Sequence, residues 1–265
     1  RVDRVYFIGC GSAYHVGAIG RLLLQEMTGL PVMAELASEF RYSGPIVDEN
    51  TLCIIISQSG ETIDTLFALR EAKRLGAHIL SIVTKAYSTQ LSVVYLICMH
   101  MAGLHKPPAQ ERQRELLAAL NALPGQAEQV LGNRAAVQHL ASLYFNHKDV
   151  FFIGRNLDYA LALEGSLKLK EISYIHSEAY PAGELKHGTI SLIEPGSLVV
   201  ALCMGDRLRE KMVSNIREVQ ARGARVIAIA PEGAPLVAQA ADHVVWLPAG
   251  HPFTAPSLSV IPLQL

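Results

Sequence analysis

A cluster of small polar side chains follows a continuous apolar run at residues 52–56 and consists of Ser57-Gln58-Ser59-Gly60-Glu61-Thr62, without lysine or arginine. If a helix begins near residue 63, its first N–H groups lack intrahelical acceptors and carry partial positive charge. These N–H groups and the nearby hydroxyls could hold an anion, and Gly60 would let the backbone approach it closely. The pattern predicts a phosphate-binding loop, whereas an ordinary helix cap would need only Ser59 or Thr62.

A second loop, Gly9-Cys10-Gly11-Ser12, follows another apolar run at residues 5–8. In a doubly wound sheet, ligands bind where strands end and helices begin. We therefore expect Gly11 and Ser12 to lie at the same sheet edge as the hydroxyl cluster and to support anion binding. Alone, a GxGS pattern is a weak signal.

Three charged residues, Glu164, Lys168 and Glu171, have the spacing of one helix face. They could form a solvated face with ion pairs worth a few tenths of a kcal/mol each. Because this helix follows the strand and loop at 150–156, a chemical role is the alternative. A carboxylate can move a proton between adjacent sugar carbons while an ammonium stabilises the enediolate oxygen. His187 could move the proton that opens a sugar ring, although a lone histidine is more often structural.

Short β-branched runs alternate with longer amphipathic segments along the chain. The predicted strands are 5–8, 52–56, 78–83, 150–153, 197–202, 225–230 and 243–247, and the predicted helices are 13–28, 62–75, 89–102, 112–122, 134–145, 158–175 and 208–222. Continuous apolar strands separated by helices indicate an α/β protein whose parallel sheets are covered on both faces.

The second half of the sequence repeats the first at an offset of 145. Residues 5–27 and 150–172 are then identical at nine of 23 positions, which include Gly9/Gly154, Tyr14/Tyr159, Gly20/Gly165 and Glu26/Glu171. A shared strand–helix period would not place glycines and glutamates in register. We predict two copies of one doubly wound lobe, residues 1–120 and 121–265, joined by a helical connection near 107–132.

The two copies differ at the loops of interest. Opposite the hydroxyl cluster the second copy has Cys203-Met204-Gly205, and opposite Gly11-Ser12 it has Asn156-Leu157. We therefore expect the first lobe to hold the anion and the second to do something else.

The repeat also indicates missing chain. Relative to the second copy, the first lacks roughly 20 residues between Val83 and Thr84, enough for one helix and one strand. The sequence opens almost inside a strand and stops inside an apolar helical pattern at Leu265, so we expect it to be incomplete at both ends as well.

The composition of the chain excludes several classes of protein. Hydrophobic residues make up 50% of the chain, which allows a sizeable core and excludes intrinsic disorder. A formal net charge of −1 gives no attraction to nucleic acid or anionic membranes. The longest apolar stretch is far short of the roughly 20 residues of a membrane span. The four cysteines have no CxxC spacing, so we expect four buried free thiols in a soluble, cytoplasmic protein.

Three segments carry a resemblance to a known family: ISQSGETIDT (56–65), TKAYSTQL (84–91) and above all ALEGSLKLKEISYIHSEAYPAGELKHGT (162–189). With them the chain resembles, over essentially its whole length, the isomerase part of glucosamine-6-phosphate synthases. The resemblance implies two tandem sugar-isomerase (SIS) lobes, each a flavodoxin-like three-layer α/β/α sandwich, in a homodimer without metal or organic cofactor.

The resemblance also implies site residues. Fructose 6-phosphate would bind with its phosphate on Ser57, Gln58, Ser59 and Thr62, with Gly11 and Ser12 nearby. Glu171 would carry the proton between C1 and C2 beside Lys168, and His187, supported by Glu164, would assist ring opening in the neighbouring subunit. The product would be glucosamine 6-phosphate, with ammonia supplied by a glutaminase domain that this sequence lacks.

The sequence departs from the family in several places. The family's C-terminal tail, whose lysine forms a Schiff base with the open-chain sugar, is absent, and Ala13 stands where some relatives have a further phosphate-binding serine. We therefore do not expect synthesis from this chain alone. Two other interpretations are a phosphosugar deglycase or plain isomerase and a sugar-phosphate sensor, but the long match at 162–189 argues against the first and the charged helix face against the second.

Overall fold

The computed structural model describes residues 2–105 and 110–265. The chain divides into two compact units, Arg1–Gln113 and Arg114–Leu265. The first contains β1 (Arg4–Gly9), α1 (Ser12–Thr28), β2 (Val32–Leu36), α2 (Ala37–Phe40), β3 (Thr51–Ser57), α3 (Ile63–Arg74), β4 (His78–Val83) and α4 (Tyr87–His105).

Helix α5 (Gln110–Gly132) continues from the first unit into the second. The predicted connection at 107–132 is therefore helical from Gln110 onward, and Pro107 lies outside the described residues. The second unit then contains α6 (Arg134–Tyr144), β5 (Asp149–Gly154), α7 (Leu157–Ser173), β6 (His176–Pro181), β7 (Leu198–Leu202), α8 (Arg209–Gln220), β8 (Arg225–Pro231), α9 (Pro235–Ala238), β9 (His243–Leu247) and α10 (Ala255–Gln264). Short 3₁₀ turns lie at Leu185–His187, Thr189–Leu192 and Asp206–Leu208.

Both sheets are parallel throughout. Their strand orders are β2-β1-β3-β4 and β6-β5-β7-β8-β9. The second is the 2-1-3-4-5 order of flavodoxin-like folds, and the first follows it as far as its fourth strand. The predicted α/β class and every predicted strand are confirmed. The prediction missed β2 and β6, which are outer strands with mostly half-buried side chains and no continuous apolar run.

Helices cover both faces of the first sheet because its strands are apolar on both sides. Tyr6 and Ile8 of β1 pack with α2 and α3, whereas Phe7 faces α1. A Cβ on Gly20 of α1 would lie 2.8 Å from the ring of Phe7, so this glycine lets α1 approach the sheet closely. The strands are thereby fixed at the centre of the unit, and their carboxyl ends form one edge.

The cysteines are free, as predicted, but they are not all buried. Cys53, Cys98 and Cys203 are buried, whereas Cys10 is only partly buried because it lies in the loop after β1 rather than within a strand. In the described part of the chain, none of the helices is long and apolar enough to cross a membrane.

The first sheet ends one strand early. Within the described residues it has four strands and the second has five, and the chain runs directly from β4 to Thr84, whose N–H donates to the Ser57 carbonyl at 3.3 Å. Among the described residues the first unit contains no counterpart of β9, and the predicted lack of a helix and a strand after Val83 stays a prediction. Without a counterpart of β9, β4 is an outer strand with most of its side chains exposed.

An apolar groove of about 590 Å³ lies beside this free edge, between β4 and α4. Leu80 of β4 and Leu96 and Leu104 of α4 line it, and they are 39%, 57% and 72% exposed. The corresponding side of β8 is covered by β9 in the second unit. The first sheet therefore presents unpaired backbone groups and apolar side chains together at one edge.

Hydrogen exchange should distinguish the two sheets. Because β4 is paired on one side only and β8 on both, the amides of β4 should exchange faster than those of β8, by roughly tenfold or more. Peptide-resolved exchange followed by mass spectrometry measures this difference. Equal protection of the two strands would contradict a free edge in solution.

Candidate functional site

The hydroxyl cluster forms a tight loop between β3 and α3. Ser57 ends β3 and is buried, and its Oγ accepts the N–H of Gly60 at 3.0 Å. The Oγ of Ser59 accepts the N–H of Glu61 at 3.1 Å. Gly60 has φ +75°, a conformation that glycine adopts without strain. The side chains thus shape the loop by binding its own backbone.

The start of α3 is not capped by a side chain. Thr62 is the N-cap residue in extended conformation, yet its hydroxyl makes no capping hydrogen bond. Among the described residues the N-cap side chain therefore gives the first N–H groups of α3 no acceptor, and such a helix start can bind an anion. Gln58, Ser59 and Thr62 are exposed, so a ligand can reach them from solvent.

The second predicted loop lies at the same edge. Strands β1 and β3 are neighbours, with Ile8 opposite Ile55, so their carboxyl ends meet. The hydroxyl of Thr65 contacts the Cys10 sulfur at 4.0 Å, which joins the loop after β1 to the first turn of α3. Gly11 has φ +54° and ψ −129°, and Ser12 follows it as the first residue of α1. The structure thus brings Gly11 and Ser12 to the edge that carries Ser57.

The rim of this site is formed by the residues after β4. Gly60 lies against Val83, since a Cβ built on the glycine would be 3.4 Å from Val83 Cγ1. Thr84 is held to Ser57 by its backbone N–H, and Gln90 donates to the Thr84 carbonyl at 2.9 Å. The point where the first unit lacks a strand is therefore also the border of the candidate site.

The charged residues of α7 form one connected row. The ammonium Nζ of Lys168 lies 2.6 Å from Glu171 Oε2 and 3.8 Å from Glu164 Oε1. The side chain of Glu164 is fully buried, that of Lys168 is 20% exposed and that of Glu171 is 52% exposed. The row runs from the interior to solvent and ends in a carboxylate held by an ammonium. Both the solvated ion-pair face and the proton-transfer role predicted from the sequence fit this arrangement, and the catalytic role stays a prediction.

His187 is not part of that row in this chain. It lies in the 3₁₀ turn Leu185–His187, its side chain is exposed, and its backbone N–H donates to the Glu184 carbonyl at 2.9 Å. Its imidazole makes no hydrogen bond or ion pair with any described residue, Glu164 included. The role assigned to His187 stays a prediction.

A buried carboxylate lies at the start of α7, and no role was predicted for it from the sequence. Asp158 is 5% exposed, and its Oδ2 accepts the backbone N–H groups of Met204 at 3.0 Å and Gly205 at 3.2 Å. Burial raises its pKa to about 6, against the opposing effect of those N–H groups and the charge of Arg209. The sequence held one signal of this difference between the two copies: at the repeat offset of 145, Asp158 aligns with the uncharged Ala13.

Comparisons with known proteins agree with the fold described above. The SIS domain family matches residues 1–99 and 143–265. The chain belongs to the SIS family. The solved C-terminal domain of glucosamine-fructose-6-phosphate aminotransferase from Francisella tularensis has a TM-score of 0.93 and 31% identity over 99% of this chain and 82% of that one. The predicted resemblance to the isomerase part of these enzymes is confirmed.

Longer relatives match as well. The glutamine–fructose-6-phosphate aminotransferases [isomerizing] of Caldanaerobacter subterraneus subsp. tengcongensis and Thermus thermophilus are each 44% identical over 100% of this SIS chain and 48% of their own length. The chain thus spans about half the length of these relatives. The first alignment covers 292 positions against 265 residues here, so at least 27 positions face no residue of this chain.

The raised pKa of Asp158 predicts a pH-dependent contribution to stability. The folded-state pKa of Asp158 is about 6 and its ordinary value is 3.8. Its contribution to the free energy of unfolding is therefore largest below pH 4 and is lost as the pH rises through 6. Replacing the carboxyl by an amide should remove this loss. The unfolding free energy of Asp158→Asn, relative to wild type, should therefore rise by up to about 3 kcal/mol between pH 4 and 7.

Denaturant unfolding of both proteins across this range measures the difference. Arg209 and Cys203 are the other titratable groups that interact with Asp158. Arg209 stays charged and the buried Cys203 stays neutral across this range. A pH-independent difference would show that Asp158 has an ordinary pKa.

Proposed function

We propose that this chain is the sugar-phosphate domain of a glutamine–fructose-6-phosphate aminotransferase. It binds fructose 6-phosphate and converts it to glucosamine 6-phosphate, using ammonia from a glutaminase domain of the longer protein. The observation that carries this proposal is the Lys168–Glu171 pair at 2.6 Å, which gives α7 a solvent-reaching base beside a fixed cation. A sensor that only binds sugar phosphate needs no such pair.

The phosphate binds at the loop edge of the first unit. Ser57, Gln58, Ser59 and Thr62 surround the uncapped start of α3, and Gly11 and Ser12 stand on the neighbouring loop. Charge-assisted hydrogen bonds contribute roughly 1.5–3 kcal/mol each. Four or five of them correspond to micromolar to millimolar affinity once the cost of association is subtracted. A lysine is not required.

The proton transfer takes place at Glu171. Ammonia adds to the C2 carbonyl of the open-chain sugar, and loss of water leaves an imine. Glu171 takes a proton from C1 and returns it to C2, while the proton of the C1 hydroxyl passes to the nitrogen, so that the C2 imine becomes an amine and C1 becomes an aldehyde. Lys168 stabilises the negative charge that develops on the C1 oxygen in between. Buried Glu164 holds Lys168 from the other side at 3.8 Å.

Ring opening is assigned to His187 across a dimer. Its imidazole is exposed and forms no polar contact within the described residues of its own chain. In the family that this chain resembles, the histidine reaches the active site of the neighbouring subunit. We therefore infer a homodimer, in the cytoplasm, that works without metal or organic cofactor.

The proton transfer can be tested without ammonia or a glutaminase domain. Fructose 6-phosphate incubated with the chain in D₂O should take up deuterium at C1, because Glu171 exchanges its proton with solvent between turnovers. Glu171→Gln should abolish this exchange, a loss of roughly 10²–10⁴-fold, while ligand affinity stays nearly unchanged. NMR of the C1 and C2 protons measures both rates.

The matched control is Glu210→Gln, which alters an exposed glutamate on α8 and should leave exchange intact. Equal loss of binding and exchange in Glu171→Gln would count against a catalytic role. Saturable binding without any exchange in the wild type would indicate a sugar-phosphate-binding module, either a sensor or a domain that needs the rest of its protein.

The phosphate loop predicts a selective loss of affinity. Ser59→Ala removes a hydroxyl from the site, so binding of fructose 6-phosphate should weaken roughly 10- to 100-fold. Binding of unphosphorylated fructose should hardly change. Calorimetric titration of both sugars measures this, with Ser92→Ala as control because the Ser92 hydroxyl binds its own helix. A uniform effect on both sugars would exclude the loop as the phosphate site.

A further inference from the structure

The two units can be compared residue by residue through their strand pairing. In the first sheet Val5 lies opposite Leu52, and in the second Val150 lies opposite Leu198. Residues of β1 and α1 therefore correspond at an offset of 145, and residues of β3 at 146. By this register Gln58 and Ser59 of the phosphate loop correspond to Met204 and Gly205, and Ala13 corresponds to Asp158.

The backbone at the start of the two helices is the same. Gly11 has φ +54° and ψ −129°, and its counterpart Asn156 has φ +55° and ψ −119°. The glycines that end β1 and β5 are also equivalent. A Cβ on Gly9 would lie 2.9 Å from the backbone of Ala13, and one on Gly154 would lie 2.4 Å from that of Asp158. The position of Asp158 therefore differs from that of Ala13 in side chain and not in geometry.

The side chain of Asp158 binds what a phosphate would bind. Its carboxylate accepts the N–H groups of Met204 and Gly205, the counterparts of Gln58 and Ser59. It is buried, and Arg209 is close enough to interact with it electrostatically. The Nε of Arg209 is itself buried without a hydrogen-bond partner among the described residues. Two N–H groups thus bind one internal carboxylate, and the guanidinium of Arg209, which is ion-paired with Asp206, acts on it electrostatically without a direct hydrogen bond.

We propose that Asp158 is a built-in anion that occupies the second unit's counterpart of the phosphate site. Its carboxylate accepts the N–H groups of the loop after β7 and thereby keeps phosphate from binding to that unit. One residue thereby decides which unit takes a phosphate: Ala13 leaves room beside its loop, and Asp158 fills the equivalent room with negative charge. The assignment of phosphate to the first unit rests on the proposed function, whereas the occupancy by Asp158 does not.

Removal of the internal anion should let an external one take its place. In Asp158→Ala the N–H groups of Met204 and Gly205 and the charge of Arg209 are left without the carboxylate. Inorganic phosphate should then raise the unfolding temperature of this variant by roughly 3–6 °C more than that of the wild type at tenfold excess over its dissociation constant. Asp158→Asn is the matched control, since its amide still fills the space and accepts both N–H groups.

The deciding quantity is the phosphate-induced rise in unfolding temperature of Asp158→Ala minus that of Asp158→Asn. Differential scanning calorimetry at increasing phosphate concentrations measures it. If phosphate stabilises all three proteins to the same extent, no anion site opens and the inference is wrong. Chloride at matched ionic strength separates specific binding from screening of surface charge.

The reciprocal substitution tests the same inference if Asp158→Ala does not fold. Ala13→Asp should place a carboxylate before the N–H groups of Gln58 and Ser59 and weaken fructose 6-phosphate binding at least 100-fold. Ala13→Ser, which adds a hydroxyl without charge, should change the affinity only a few-fold. Wild-type affinity in Ala13→Asp, together with a clear loss in Ser59→Ala, would overturn the inference. Wild-type affinity in both would instead contradict the proposed phosphate site, and the phosphate titration of Asp158→Ala would still decide the role of Asp158.

Discussion

The unpaired N–H groups at the carboxyl ends of the central strands are the constraint on which the rest of this molecule depends. A parallel sheet delivers successive strand ends to one edge, and each loop there turns its N–H groups toward the same space. Leaving such groups without an acceptor costs free energy when they are buried. The first unit keeps the space open to solvent beside Ser57. The second fills it with the carboxylate of Asp158.

These two solutions have different energetic consequences. An exposed loop is hydrated without ligand, so the first unit stays folded and available for a phosphate. The internal carboxylate of the second unit must lose water, and the raised pKa of Asp158 shows that two N–H groups and Arg209 do not fully compensate for this loss. Such a residue is poorly explained by stability alone. It is better explained as a determinant of which unit binds the ligand, since the second unit carries the charged row of α7 instead.

The apolar runs of the central strands made most of the fold predictable from the sequence. The outer strands and the burial of single polar groups such as Asp158 were not predictable in this way. The apolar runs at β1, β3, β5, β7 and β8 are buried on both faces, so their sequences are continuous and were recognised. The outer strands β2 and β6 contain polar residues because solvent reaches them, and no pattern separated them from loops. The spacing of Glu164, Lys168 and Glu171 predicted one helix face correctly. In the sequence, an aspartate near a helix start cannot be distinguished from an ordinary first-turn acid, and only the folded structure shows that Asp158 is buried and bound to the loop after β7.

The shortened first sheet shows why the candidate phosphate site can survive the loss of a strand. The free edge lies on β4, whereas the phosphate loop follows β3, which is still paired on both sides by β1 and β4. The register of β3 is therefore fixed by two neighbours, and the loop positions of Ser57 and Gly60 follow from it. What changes is the rim, where Thr84 binds the Ser57 carbonyl directly and α4 begins at Tyr87. Under the proposed function, the shorter sheet therefore affects the surroundings of the sugar more than the site of its phosphate, so that substrate affinity depends on the loop and substrate orientation on the rim.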